Sequence, residues 1–188
     1  MNNLAYYDAY GRIAEVNTSN PNNYGCLELF DVDLDNLNNY FIQDGVLVFK
    51  PERPSAAHVF DYITKQWVDP RSLAEVRAAQ WTAIKAARQA AIEAPIVTSF
   101  GNFDATPDAQ KSITDAVLML QTLAALGTPT TIDFTLYDNS TATLTTEQMV
   151  QVGLMLGAQT QAAYSRGRTL RDQINAAATI AEVESVTW

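Results

Sequence analysis

The spacing of hydrophobic positions changes near residue 70. Before that point, apolar and aromatic residues form short runs or alternate with polar residues, a pattern typical of β-strands. Beyond it, Ala, Leu, Ile and Val recur at helical spacing. The pattern predicts an α+β fold: a small β-rich N-terminal region, residues 1–70, followed by a helical region, residues 71–188, with a β-hairpin inserted near residues 131–144.

Three strand pairs are predicted in the N-terminal region. Each has two apolar runs separated by a turn sequence, and the clearest has Asp44-Gly45 between its runs. The pairs are Leu4–Tyr7 with Arg12–Val16, Phe41–Gln43 with Val46–Phe49, and Phe60–Ile63 with Lys65–Val68.

An aspartate run in the same region allows two interpretations. Asp31, Asp33 and Asp35 occupy the first, third and fifth positions of an EF-hand-like calcium loop. However, Asn36 stands at the sixth position and Ile42 at the twelfth, where such loops have glycine and glutamate. Because the aspartates alternate with apolar residues, the solvated face of a half-buried strand is the favoured interpretation.

The helices are predicted from apolar stripes and terminal signals. One runs from Arg71 to about Ala94, before Pro95, and another begins at Thr106-Pro107 and stops at Gly127. A long helix follows the capping-box pair Thr145 and Gln148. Its predicted buried stripe is Met149, Val152, Leu156, Ala163, Leu170 and Ile174. A short last helix is expected from Thr179 to Trp188.

Two further features of the helical region concern packing. Gly153 and Gly157 lie four residues apart in the long helix, which indicates close approach of another backbone. That backbone could belong to this chain, the favoured alternative, or to an oligomer partner. Trp188 is expected to cover the hydrophobic core of the helical region.

Charge and composition restrict the classes of binding partner and the cellular location that we expect. Residues 1–70 contain 10 acidic and 4 basic residues, and the whole chain has a net charge of −9, which disfavours nucleic acid and anionic membranes. We expect no signal peptide and no membrane insertion, with synthesis in the cytoplasm. The single cysteine, Cys26, is expected to be buried or half-buried.

No residue pattern predicts catalysis, a cofactor site or a metal site. His58 lies in a loop expected to be solvated, and Arg166, Arg168 and Arg171 are expected to be solvated or to bind helix-end carbonyls. Two carboxylate pairs could serve glycoside hydrolysis, although turn and cap roles explain them more simply. These pairs are Asp104 with Asp108 and Asp133 with Asp138.

Two stretches resemble tail proteins of tailed bacteriophages. The first, Asp44–Leu47, Pro51, Pro54, Phe60–Tyr62 and Trp67–Arg71, is similar to short phage proteins encoded beside tail-fibre genes. The second, residues 75–188, resembles a domain family of unknown activity that recurs in phage tail genes. It is matched by Trp81, Lys85, Arg88, Glu93, Phe103-Asp104, Ile113, Ala116, Asp138-Asn139, Tyr164, Leu170-Arg171, Ile174, Ala177, Thr179, Glu182 and Trp188.

The resemblance implies a structural role without catalysis or cofactors. A tail-fibre, fibre-adaptor or baseplate-associated subunit would bind other phage tail or fibre proteins, in several copies, in virion assembly or host attachment. Two alternatives remain open: a tail-fibre assembly chaperone that is absent from the finished virion, and a glycan-cleaving receptor enzyme.

Overall fold

The protein is α+β, with a β-rich N-terminal part followed by helices and β-hairpins, as the sequence predicts. The computed structural model describes residues 3–16, 25–29 and 34–188. The chain divides into two compact units, Met1–Arg71 and Ser72–Trp188, hereafter the N-terminal and C-terminal units.

Short antiparallel strands build the N-terminal unit. Its first sheet has the order β2-β1-β3 and consists of β1 (Asn3–Tyr7), β2 (Ile13–Val16) and β3 (Gly25–Leu29). Two hairpins follow a 3₁₀ helix (Leu34–Asn39): β4 (Tyr40–Gln43) with β5 (Val46–Phe49), and β6 (Val59–Asp61) with β7 (Gln66–Val68). The three predicted strand pairs are therefore confirmed.

The turns have the residues that their backbone conformation requires. Asp44 and Gly45 both have positive φ, 52° and 75°, as the favoured two-residue hairpin turn demands. Gly11, with φ 79°, lies so close to β4 that a Cβ there would be 1.8 Å from the carbonyl oxygen of Ile42. The amide of Ile42 donates to the Gly11 carbonyl at 2.9 Å, and this hydrogen bond links β4 to the turn between β1 and β2.

The aspartate run is only partly described. Asp31 and Asp33 lie outside the described residues, so the calcium interpretation stays untested there. Asp35 lies in the 3₁₀ helix, so the predicted strand is wrong at this position. Asp and Asn side chains compete for backbone hydrogen bonds and disfavour strands, and the helical turn lets Leu37 pack against the core residues Ala5, Leu29 and Ile42.

Four helices form the C-terminal unit, all of whose residues are described. They are α1 (Leu73–Ile92), α2 (Pro107–Ala125), α3 (Thr146–Ala176) and α4 (Ile180–Ser185). The predicted caps Thr106, Thr145 and Thr179 each accept a hydrogen bond from a first-turn amide. The last helix ends at Ser185 rather than at Trp188.

Two hairpins accompany these helices. The predicted one is β10 (Ile132–Thr135) with β11 (Thr141–Leu144), and Asn139 has φ 63° in its turn. The other, β8 (Ile96–Thr98) with β9 (Gly101–Phe103), was not predicted. The amide of Tyr137 donates to the Asn102 carbonyl at 2.8 Å and links the two hairpins.

Hydrophobic packing in the C-terminal unit forms two clusters, and α3 contributes to both. All six residues of its predicted stripe are buried, so that prediction is confirmed. The first cluster joins α2 and the hairpins to α3 around Phe103, Ile113 and Leu120. The second joins α1 and α4 to α3, and Trp188 packs against it as expected.

Among the described residues outside α3, no backbone atom would lie within 4 Å of a Cβ on either glycine of the pair. A Cβ on Gly153 would lie 3.1 Å from Cγ2 of Val117, so a side chain of α2 fills this space. A Cβ on Gly157 would have nothing within 4 Å. The contact at Gly153 is intramolecular, while Gly157 is an open position on an exposed part of the helix.

Candidate functional site

The carboxylate pairs considered for glycan cleavage have local structural roles. Asp104 accepts a hydrogen bond from the amide of Thr106 at 3.0 Å, next to the start of α2, and Asp108 lies exposed in the first turn of that helix. In the hairpin, the Thr143 hydroxyl donates to Asp133 at 2.6 Å. Asp104 therefore has the predicted role next to a helix start, whereas Asp133 lies within β10 and bonds its cross-strand partner rather than serving a turn.

Asp138 illustrates such a role most clearly. The hydroxyl and the amide of Ser140 donate to its Oδ1, at 2.6 Å and 3.0 Å. These hydrogen bonds stabilise the carboxylate, so the pKa of Asp138 is lowered from its usual value. A carboxyl group with a lowered pKa is a poor general acid at neutral pH.

Two other sequence predictions need correction. His58 is half-buried rather than fully solvated, and its Nδ1 lies 2.9 Å from the Ser55 hydroxyl within a loop that Arg53 closes by donating to backbone carbonyls. Cys26 is exposed rather than buried. The alternation of β3 places Cys26 and Glu28 on the outer face, while Leu29 belongs to the buried set.

The described residues contain neither a metal-ligand cluster nor a membrane-spanning helix. In residues 3–16, 25–29 and 34–188, no three His, Cys, Asp or Glu side chains come together as a metal site. Among the described helices, none combines the length and apolarity that crossing a bilayer requires.

A buried lysine joins the parts of the N-terminal unit. Lys50 is 6% exposed, and its Nζ donates to the Asn38 carbonyl at 2.7 Å and to the Tyr62 hydroxyl at 2.8 Å. The same nitrogen lies 4.9 Å from the ring centroid of Phe60. Cation–π and hydrogen-bond contacts thus replace the carboxylate partner that a buried lysine commonly has. Sequence reasoning missed this cluster because its members are up to 24 residues apart.

The hairpins of the N-terminal unit expose apolar side chains. Val59 and Val68 face each other across β6 and β7 and are 47% and 38% exposed, with Ile63 exposed in the connecting turn. Val46 and Phe49 are exposed on β5. We call these five residues the hairpin surface. Val46 and Phe49 are three positions apart and project to opposite faces of β5, so Val59 and Val68 are the pair shown to lie side by side. Exposed apolar side chains beside strand edges are features that a protein partner can bind.

A second surface combines basic and aromatic side chains of α1 and α3. Each helix contributes residues three, four or seven positions apart, which share one side of the helix. We call this surface the basic face: Arg77, Trp81, Lys85 and Arg88 of α1 with Tyr164, Arg168 and Arg171 of α3.

Cation–π contacts hold the basic face together. The guanidinium of Arg88 lies 4.8 Å from the Tyr164 ring centroid and 5.9 Å from that of Trp81. The guanidinium of Arg171 lies 5.3 Å from the Trp81 centroid. The aliphatic stem of Arg88 runs past Gly167, where a Cβ would be 3.1 Å from its Cδ. Both arginines therefore stack on rings, and Gly167 leaves room for the stem of Arg88.

The arginines of α3 are all exposed, as the solvated alternative predicts. Two of them also stack on rings, which the sequence did not predict: Arg166 on Trp188, with a centroid distance of 4.9 Å, and Arg171 on Trp81. The helix-end role falls instead to Arg77, which donates to the Ala177 carbonyl at 2.7 Å. Sequence spacing could not reveal these pairs because each joins residues more than twenty positions apart.

The comparisons identify a family for this chain. Residues 75–187 match the family described as Domain of unknown function (DUF4376). The match spans more than half of the chain, and the protein belongs to this family. No curated protein and no solved structure matches the chain.

Proposed function

We propose that this member of the DUF4376 family is a structural subunit of a bacteriophage tail, a tail-fibre, fibre-adaptor or baseplate-associated protein that acts through protein–protein contacts. It would be made in the host cytoplasm and retained in the virion tail, where it serves assembly or host attachment. The support is the resemblance of residues 44–71 and 75–188 to phage tail proteins, together with the exposed hairpin surface.

The hairpin surface is the observation that carries the proposal. Its hairpins are two-stranded sheets with outer edges, and apart from β4, whose Ile42 amide bonds Gly11, these edges would offer backbone groups to a strand of a neighbouring subunit. The exposed pair Val59 and Val68 would supply apolar contact area beside those hydrogen bonds. A tail subunit needs this kind of contact with its neighbours.

Mass spectrometry of purified virions tests the structural role. We expect the protein in mature particles, at a constant copy number per tail. Its absence from particles, together with its presence on fibres isolated from infected cells, would assign it instead to transient fibre assembly. Cleavage of host surface glycans by the purified protein, lost on replacing Asp104 or Asp133 by asparagine, would assign it to the enzyme class.

A matched pair of variants tests the surface itself. Val59→Lys with Val68→Lys places two charges on the outer face of one hairpin without removing a buried side chain. We expect this variant to fold but to be missing from virions. Leu118→Lys with Leu154→Lys, at exposed apolar positions of α2 and α3, is the control and should be incorporated normally. Equal incorporation of both variants would contradict docking through the hairpin surface.

A further inference from the structure

The basic residues of this acidic chain are concentrated in two helix segments. Residues 76–92 of α1 and 148–171 of α3 contain no Asp or Glu. They contain six of the twelve Lys and Arg residues: Arg77, Lys85, Arg88, Arg166, Arg168 and Arg171. Residues 1–70, in contrast, hold 10 acidic and 4 basic residues. The chain therefore has charges of opposite sign on different parts of its sequence.

The stacking of Arg171 leaves donors available at an exposed position, whereas Arg88 is half-buried and its Nε is buried without a partner. A ring contacts the flat face of a guanidinium, whereas carboxylates bind at its edge through two parallel N–H bonds. Both arginines have rings rather than carboxylates as their contacts in the C-terminal unit. Because the rings hold the side chains in place, little conformational entropy remains to be lost on binding a carboxylate.

We propose that the basic face binds carboxylates on the N-terminal unit of a second copy of this chain. That unit offers exposed carboxylates at Glu28, Asp44 and Glu52. Asp44 occupies the tip of the β4–β5 hairpin, where the turn presents it to solvent. Tryptophan, tyrosine and arginine, the residue types of the basic face, are also those that dominate the binding energy of protein interfaces.

Net charge does not prevent this association. Two copies, each with a net charge of −9, repel at long range, but the Debye length is about 8 Å at physiological salt. Short-range contacts between individual carboxylates and the basic face therefore decide the outcome. A two-fold dimer, the commonest oligomer symmetry, would let each copy offer its carboxylates to the basic face of the other.

Sedimentation velocity of the full chain tests the proposal. We expect concentration-dependent dimers at ~0.05 M salt and weaker association at ~0.5 M salt. Arg168→Glu with Arg171→Glu, at two exposed positions, should weaken association about tenfold or more. Lys111→Glu places the same type of charge change on α2, outside the basic face, and should leave association unchanged. Helical circular dichroism confirms that each variant is folded.

Reversing the charge of the carboxylates tests whether a second copy of the chain is the molecule that binds the basic face. Glu28→Lys, Asp44→Lys and Glu52→Lys in one variant should weaken self-association as the arginine changes do. An equimolar mixture of this variant with the Arg168→Glu and Arg171→Glu variant should restore association, because the new lysines of one variant can bind the new glutamates of the other. The proposal is overturned if the protein is monomeric at all concentrations, or if its association constant is unaffected by these substitutions. A monomer that binds poly-L-glutamate or a uronic-acid oligosaccharide at the basic face overturns it too, since the occupant is then another molecule.

Discussion

Replacement of Gly157 by alanine should stabilise the C-terminal unit. Gly157 lies inside the 31-residue helix α3, and a Cβ there would have nothing within 4 Å. Glycine in a helix interior costs about 1 kcal/mol relative to alanine, because its unfolded backbone has more freedom to lose. With no steric cost to subtract, Gly157→Ala should raise the free energy of unfolding by about 1 kcal/mol.

Gly153→Ala is the matched comparison in the same helix. Its Cβ would lie 3.1 Å from Cγ2 of Val117, closer than the 3.5–4.0 Å of an optimal carbon contact. The valine methyl must therefore move, and this displacement offsets part or all of the helix-propensity gain. We expect Gly153→Ala to be less stable than Gly157→Ala.

Urea denaturation followed by helical circular dichroism measures both variants, because the α-helices of the described residues all lie in the C-terminal unit. For a unit of roughly 120 residues, 1 kcal/mol corresponds to a rise in Tm of about 4 °C. If Gly157→Ala is less stable than the unchanged chain, or only as stable as Gly153→Ala, then the space beside each glycine does not determine the effect of adding a methyl group.

Three further predictions concern other contacts. The carboxylate of Asp69 accepts hydrogen bonds from the side chain and the backbone amide of Arg71, which hold its pKa at about 2 against 3.8 ordinarily. The stability that this carboxylate contributes is present above pH 3.8 and is lost as the pH falls towards 2. Asp69→Asn should therefore flatten the acid limb of a stability-against-pH curve, and an unchanged limb would contradict this. Tyr62→Phe removes a hydroxyl that accepts a hydrogen bond from the buried Lys50 ammonium. We expect the free energy of unfolding of the N-terminal unit to fall by about 1.5–3 kcal/mol, measured by urea denaturation followed by fluorescence. A fall within experimental error would show that the ammonium finds another partner. Ile113→Ala, fully buried in α2, should cost about 2–5 kcal/mol by helical circular dichroism, and a smaller loss would mean that the core collapses into the cavity.

Local sequence determined most of the secondary structure. The Asp44-Gly45 turn, the Thr145–Gln148 capping box and the start of α2 at Pro107 are encoded within a few residues, and each was found where predicted. The same holds for the buried stripe of α3, because a helix of fixed period places its apolar residues on one side whatever packs against them. Short-range chemistry suffices for such features.

The local sequence pattern did not predict features that depend on contacts with residues distant in sequence. The β8–β9 hairpin is supported by Leu136, which packs against Gly101, and by the bond between Tyr137 and Asn102. Cys26 shows the same limit, because the register of a strand, and not the polarity of one residue, decides which side chains face the core.

The surfaces most relevant to function depend on tertiary structure in the same way. The acid-free segments of α1 and α3 can be found in the sequence, but only the packing of the two helices stacks Arg88 on Tyr164 and Arg171 on Trp81. Lys50 likewise acquires its partners only when the hairpins meet. Helix period and turn chemistry act over a few residues, whereas a cation and the ring that fixes it come together only after the chain has closed long loops between them.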